Sequence, residues 1–379
     1  MFSFSQNNMG WAKSASILTA GVVLLSTAAG GFNAAAAQDW KAEWKKTIAA
    51  AEKEGIVVLN VQTNKNFRNY VSREWPKYFP KIKLSLTTQR SSQFIARVRT
   101  ERKAGKFLWD AYYAGSSVGL RLYREGVLDP LRDEFILPEV NDPKVWGGWK
   151  NAFFDLPGKY VLSTQNYLKS PWYNSDVIPR SKVEKHGIKL LLDPAYKGKI
   201  AWVEPLRPSS GQAISLVLLK SLGEAGLRKM IIDNEVTFFS KQNNMVDRMA
   251  RKQFLISIGP NMIQQTERFR KAGVKLNFRT LGNTPASAEA STGGGTVFVF
   301  NRRPHPNAAK VFINWVLSKK HSAGIAKETG NGSRRIDVEP VDPPERRPIA
   351  GADYTVPAHE KNKKDLKAAI AVIRKIRGK

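Results

Sequence analysis

Arg207, Ser209 and Ser210 stand together in the stretch EPLRPSSGQAISLVLLK (204–220), where two prolines bracket the arginine and an apolar run follows. Pro205 and Pro208 stiffen the loop, and Ser209 or Ser210 is expected to cap a helix whose apolar face is Ile214, Val217 and Leu218. A helix start leaves backbone N–H groups unpaired and carries partial positive charge, so a guanidinium, two hydroxyls and Gly211 beside it form a seat for an anion. The same residues also make an ordinary capped helix next to a surface arginine, and the segment alone leaves both readings open. Hydrolytic chemistry has less to work with. His186, His305, His321 and His359 stand in no metal-binding spacing, and the chain has no G-x-S-x-G elbow, no P-loop and no cysteine. The chain is therefore read as no enzyme, with no catalytic residue, metal ligand or cofactor assigned.

Neutral polar residues recur where predicted strands end. Thr63 and Asn64 follow IVVLNVQ; Arg90, Ser91 and Ser92 follow KIKLSLTT; Ser116 and Ser117 follow LWDAYYAG; Asn261 lies in GPNMIQ after FLISIG. Ligands of open α/β sheets settle outside the carboxyl ends of the strands, where helix N-termini also point. The elements that must hold these residues alternate as such a sheet requires. Asp39 is expected to cap a first helix, DWKAEWKKTIAAAEKEG, that Gly55 stops, and strand–helix pairs follow to about residue 126. After WGGWKNAFFDLPG the pattern restarts, with strands at KYVLSTQNYL, KIAWVEP, VTFFS, FLISIG and VKLNFRT and helices over 211–222, 243–253 and 262–272. The fold class expected is α/β, with lobe 1 from 38–155 plus 285–330 and lobe 2 from 156–284.

The first 37 residues hold one lysine, no acid, the run ILTAGVVLLSTAAG and the small-residue ending AAAA, the pattern of a signal peptide cleaved after Ala37. A retained anchor is the alternative. Export would place a soluble chain in the periplasm. The formal charge is +29, spread along the chain, so an anionic solute or membrane surface suits it better than nucleic acid. Residues 331–379 form a basic C-terminal extension, Pro-rich and then charged, whose end KKDLKAAIAVIRKIRGK is expected to be an amphipathic helix on the outer surface.

Five further stretches, AAAEKEGIVVLN, ERKAGKFLWDAYYAG, YNSDVIP, LLDPAYKGKIAW and HPNAAKVFINWVLS, resemble together the periplasmic solute-binding proteins of ABC transporters, in the ferric-iron-binding-protein-like, type 2 branch. The resemblance spans Trp40 to about Lys320. It implies two α/β lobes joined by crossover strands, a ligand cleft between them, and delivery to an ABC permease in the inner membrane by a monomer. Iron-binding members hold Fe(III) largely through adjacent tyrosines after the strand that reads FLISIG here, where this chain has Asn261-Met262. The tandem Tyr112-Tyr113 lies within a predicted strand, so its rings point to opposite faces, and VQTNKN offers neither His nor Glu. The ligand expected is a small anionic solute, a carboxylate, phosphonate or sulfonate. Ferric iron or a ferric chelate is the alternative, and a hydrolase using the same cleft is the second.

Overall fold

The computed structural model describes residues 28–349 and 351–379. The expected signal peptide therefore lies mostly outside the described residues. The first helix, Ala28–Glu54, runs through Asp39, which is thus a helical residue and not its cap. Gly55 ends that helix at φ 73°, a left-handed conformation that suits glycine, and its N–H donates to Ala51 O at 2.9 Å.

The chain then builds a sheet from β1 (Ile56–Val61), β2 (Lys83–Thr87), β3 (Ala111–Ala114), β4 (Leu128–Asp129) and β5 (Leu162–Ser163). It leaves through β6 (Tyr167–Lys169) and enters a second sheet of β7 (Trp172–Asn174), β8 (Ile200–Val203), β9 (Thr237–Phe239), β10 (Ile256–Ile258) and β11 (Phe278–Thr280). The return is through β12 (Glu289–Ser291), which pairs antiparallel with β6, to β13 (Thr296–Phe300) in the first sheet. The first sheet has the order β2-β1-β3-β13-β4, with β5 on β13, and the second the order β11-β7-β10-β8-β9. In each, parallel strands form one side of the sheet: β1 with β2 and β3, and β8 with β9 and β10. The chain is thus an α/β protein of two sheets bridged by a two-stranded ribbon. Sheet membership switches later than the sequence pattern suggests, because β5 still pairs with β13 and the second sheet begins only at Trp172.

Strand alternation divides the first core. Val57, Leu59 and Val61 of β1 pack with Phe312 and Ile313 of the helix Pro306–Leu317 on one face, while Phe94, Tyr112 and Phe298 fill the other. Asp110 locks this arrangement: its buried carboxylate accepts Val58 N at 2.7 Å, His305 N at 2.8 Å and the His305 ring at 2.9 Å. Burial pushes its carboxyl up, and the three donors pull against that.

Residues past 330 are woven into both halves. Arg335 is buried and donates to Glu139 O and Leu317 O, at 2.8 and 3.0 Å, and to the Asp337 carboxylate. Glu360 pairs with Arg124 at 2.7 Å, beside the first sheet. The helix Lys363–Ile376 buries Ile373 in the second-sheet core, and Arg377 binds Glu204 at 2.7 Å while its guanidinium lies 3.7 Å from the Phe238 ring centre. The amphipathic basic helix therefore spends its apolar face on packing. Among the described residues no helix is long and apolar enough to cross a membrane.

Candidate functional site

A cavity of about 580 Å³ opens at the carboxyl ends of β1, β2 and β3. Of the residues expected at these strand ends, Thr63, Asn64, Arg90 and Ser91 line it. Asn64 also caps the helix Lys65–Tyr78, accepting from Asn66 N at 2.9 Å and Phe67 N at 3.3 Å. Ser92, Ser116 and Ser117 do not line the cavity. Arg90 and Gly115 occupy the N-cap positions of the next two helices, with no side-chain cap bond, so Ser91 and Ser116 are first helical residues and Ser92 and Ser117 turn away to exposed positions.

Other wall residues have no counterpart in the strand-end pattern: Gln62, Gln89 and Tyr112 beside it, Tyr167 from β6, Gly293-Gly294 from the turn before β13, and Asn331 from the tail. The glycines are there for clearance. A Cβ on Gly294 would stand 2.5 Å from Gln62 Oε1, and one on Gly293 would stand 2.7 Å from Gln165 Oε1 and 3.1 Å from the Tyr167 hydroxyl. Behind Tyr167, the buried Arg346 guanidinium sits 4.6 Å from its ring centre. Among the described residues Arg90 is the only charged side chain of the lining, and no carboxylate or imidazole contributes.

The second sheet holds the remaining candidates. Ser209 is the cap of the short helix Ser210–Ala213, accepting Gln212 N at 3.1 Å and donating to Glu204 O at 2.8 Å. Ser210 accepts from Gln242 Nε2 at 3.2 Å. Gly211 is buried against the end of β8 and its carbonyl accepts Trp202 Nε1 at 3.0 Å, so it works as a packing contact more than an open ligand donor. Gly259, at φ 102°, meets it from the end of β10, which brings the Ser210 turn beside the loop carrying Asn261. Asn261 stands at the N-cap of the helix Met262–Lys271 without a side-chain cap bond, and its buried Oδ1 has no partner. Arg207 is exposed and makes no hydrogen bond or ion pair among the described residues. These second-sheet residues do not line the 580 Å³ cavity.

Tyr112 and Tyr113 point to opposite faces of β3. Tyr112 stacks on Phe298 with ring centres 4.6 Å apart and donates to Gly115 O, whereas Tyr113 stacks on Phe67 at 4.4 Å and shares a 2.6 Å hydrogen bond with Thr164. Burial pushes both phenols up, away from the phenolate form a ferric ion would need. Among the described residues no group of three His, Asp or Glu could hold a metal ion. Ferric citrate added to the protein is accordingly expected to give no tyrosinate-to-iron absorption band from this pair. A band abolished by Tyr112→Phe and also by Tyr113→Phe would contradict that geometry.

The model of the family described as bacterial extracellular solute-binding proteins matches residues 76–352. No curated protein sequence matches the chain. Similar solved structures include iron-bound HitA from Pseudomonas aeruginosa, at 16% identity and TM-score 0.61, covering 85% of this chain and 99% of that one. The Trichodesmium protein IdiA (FutA), in complex with iron and citrate, matches at 14% identity and TM-score 0.60, covering 86% of this chain and 100% of its own. The ferric binding protein from Campylobacter jejuni matches at 12% identity and TM-score 0.59, covering 84% and 99%. At these identities the likeness is one of fold, the two-lobed type 2 periplasmic binding-protein architecture.

Proposed function

The chain belongs to the bacterial extracellular solute-binding protein family, and from that premise we propose that it captures a small anionic organic solute in the periplasm and delivers it, as a monomer, to an ABC permease of the inner membrane. The solute is a carboxylate, phosphonate or sulfonate. The observation that carries this reading is the cavity wall at the ends of β1, β2 and β3, which is mixed polar and apolar and, among the described residues, uncharged except for Arg90. A wall with cationic and neutral donors and no carboxylate favours a negative solute over a cation. The second half of the site is the Arg207, Ser209, Ser210 and Asn261 cluster, closing from the second sheet as the lobes approach. Thr63, Asn64 and Ser91 complete the first half.

Ferric iron is the second reading, favoured by the fold's likeness to proteins crystallised with iron and by the two tyrosines, Tyr112 and Tyr167, on the cavity wall. Against it stands a wall without carboxylate or imidazole, in which Tyr112 is a buried phenol bonded to a carbonyl.

The test begins with mass spectrometry of small molecules released from natively purified protein, followed by calorimetry with the compound found. Arg207→Ala is expected to weaken its binding about tenfold to a hundredfold, the loss of a charge-assisted contact, with the melting temperature unchanged because Arg207 is exposed. Unchanged affinity in Arg207→Ala and in the Ser209→Ala, Ser210→Ala double variant would return this segment to a capped helix on an ordinary surface.

A further inference from the structure

The tail makes a third crossing between the two halves, beside the ribbon of β6 and β12. Thr355 O accepts Ala290 N of β12 at 2.9 Å, and five residues later Glu360 is fastened to the first half. Its N–H donates to Phe154 O at 2.9 Å, and its carboxylate accepts from Leu156 N at 3.1 Å and from Arg124 at 2.7 Å. A single turn, Glu360–Asn362, then leads into the helix Lys363–Ile376 with no loop between them. That helix packs on the second half, where Ala369 and Ile373 are fully buried, Ile373 within the second-sheet core. Its sequence, KKDLKAAIAVIRKI, contains neither proline nor glycine, so nothing in it favours a kink.

The far end of this helix meets the loop that carries Arg207. Arg377 follows the last helical residue, and its guanidinium takes both oxygens of the Glu204 carboxylate, at 2.7 and 3.2 Å, while also standing over the Phe238 ring. Such a two-pronged pair fixes orientation as well as distance. Glu204 in turn shapes the loop. Its carboxylate accepts Leu206 N at 3.0 Å, and its carbonyl accepts Ser209 Oγ at 2.8 Å, the same hydroxyl that caps Gln212 N. Burial pushes the Glu204 carboxyl up, yet Arg377 and the Leu206 N–H hold it below its usual range. Bonds on both sides of Arg207 therefore lead back to Glu204, and from Glu204 to Arg377.

We propose that this helix is a strut between the halves, anchored to the first by Glu360, and that Arg377 is a positioning residue that holds the Arg207 loop in the second. With both ends fastened, the ribbon flexes only as far as the Glu360 anchorage allows, and the loop travels with the helix. The inference rests on the proposed reading only for the use to which Arg207 is put.

Two measurements on the full chain test it without any solute, so their outcome stands apart from the calorimetry that tests Arg207 itself. Hydrogen exchange followed by mass spectrometry over residues 204–212 is expected to quicken about tenfold or more in Arg377→Ala, through loss of a charge-assisted pair. Arg377 lies past the last helical residue, so the variant leaves the packing of Ala369 and Ile373 in place. Lys375→Ala removes only an exposed pair with Glu224 from the same helix and is expected to leave that exchange unchanged. The chain has no cysteine, so Lys106→Cys and Lys271→Cys, both at exposed positions and one in each half, place two spin labels at defined sites. The distribution of distances between the labels is expected to broaden in Glu360→Ala. Arg124→Ala, which removes a partly exposed partner of Glu360, serves in its place if Glu360→Ala fails to fold. Unchanged exchange in Arg377→Ala, an equal rise in Lys375→Ala, or a distance distribution unmoved by loss of the Glu360 anchorage would overturn the proposal.

Discussion

Gly211→Ala is expected to destabilise the protein by about 3 kcal/mol or more, at the upper end of what an overpacked site costs. A Cβ on Gly211 would fall 1.8 Å from the carbonyl oxygen of Val203 and 2.7 Å from its carbonyl carbon. That oxygen belongs to the backbone of β8, which is held between β9 and β10 and cannot yield by a rotamer change. Gly259 closes the other side, since its own Cβ would lie 2.9 Å from Gly211 Cα. The helix start must therefore move away from the sheet, breaking the bonds that Trp202 Nε1 and Ser215 Oγ donate to Gly211 O at 3.0 and 3.1 Å. Urea unfolding measures the loss, with Ser210→Ala as the control. That change removes only the partly exposed contact with Gln242 and should cost about 1 kcal/mol or less. If Gly211→Ala stays within about 1 kcal/mol of the parent, the close approach of helix and strand is not as described.

That contact shows which parts of the architecture the sequence carries and which it does not. PSSG announces a capped helix start, and Ser209 is its cap, because an Ncap hydroxyl is a local requirement met by neighbouring residues. The opposed faces of Tyr112 and Tyr113 follow equally from strand alternation. The cavity wall is legible only in part. Thr63, Asn64, Arg90 and Ser91 lie directly after apolar strands, where an α/β sheet presents its ligand. Tyr167, Gly293-Gly294 and Asn331 reach the same wall through the crossover ribbon and the tail, and their placement depends on pairings more than a hundred residues apart. The one local trace they leave is GGG before TVFVF, a run without side chains where Gln62, Thr164 and Gln165 need room. Ser92, Ser116 and Ser117 are selected by composition at a strand end but lie outside this wall. For Ser92 and Ser117, one step along a helix from Ser91 and Ser116 turns the side chain by about 100°.

The ribbon that joins the two sheets contains a charge with no partner, and its removal is expected to change stability with pH. Glu289 of β12 is buried, its Oε2 has no hydrogen bond, and burial pushes its carboxyl up to about 7 against the weaker pull of Lys169. Lys169 stands opposite on β6, but its ammonium lies 5.7 Å from the Tyr167 ring centre and forms no ion pair with the glutamate. The folded protein therefore holds a proton on Glu289 at pH values where the unfolded chain, titrating near 4.5, has released it. Stability from this group is fully present below the unfolded value and is lost as pH rises to about 7, after which the loss is constant. Glu289→Gln keeps the shape of the protonated side chain and never ionises, so it should exceed the parent by about 1 kcal/mol near pH 5 and by about 3 kcal/mol at pH 8. Comparing variant with parent at each pH cancels the other titrating groups, among them His321, which burial holds down to about 4. Urea unfolding at the two pH values decides the matter: a gap of the same size at pH 5 and pH 8 would mean that Glu289 is ionised throughout, paired by a group that the ribbon does not display. A gap that widens from pH 5 to pH 8 would show that the connection between the sheets becomes costlier as the carboxyl ionises, and the ribbon is where any movement of one sheet relative to the other must be absorbed.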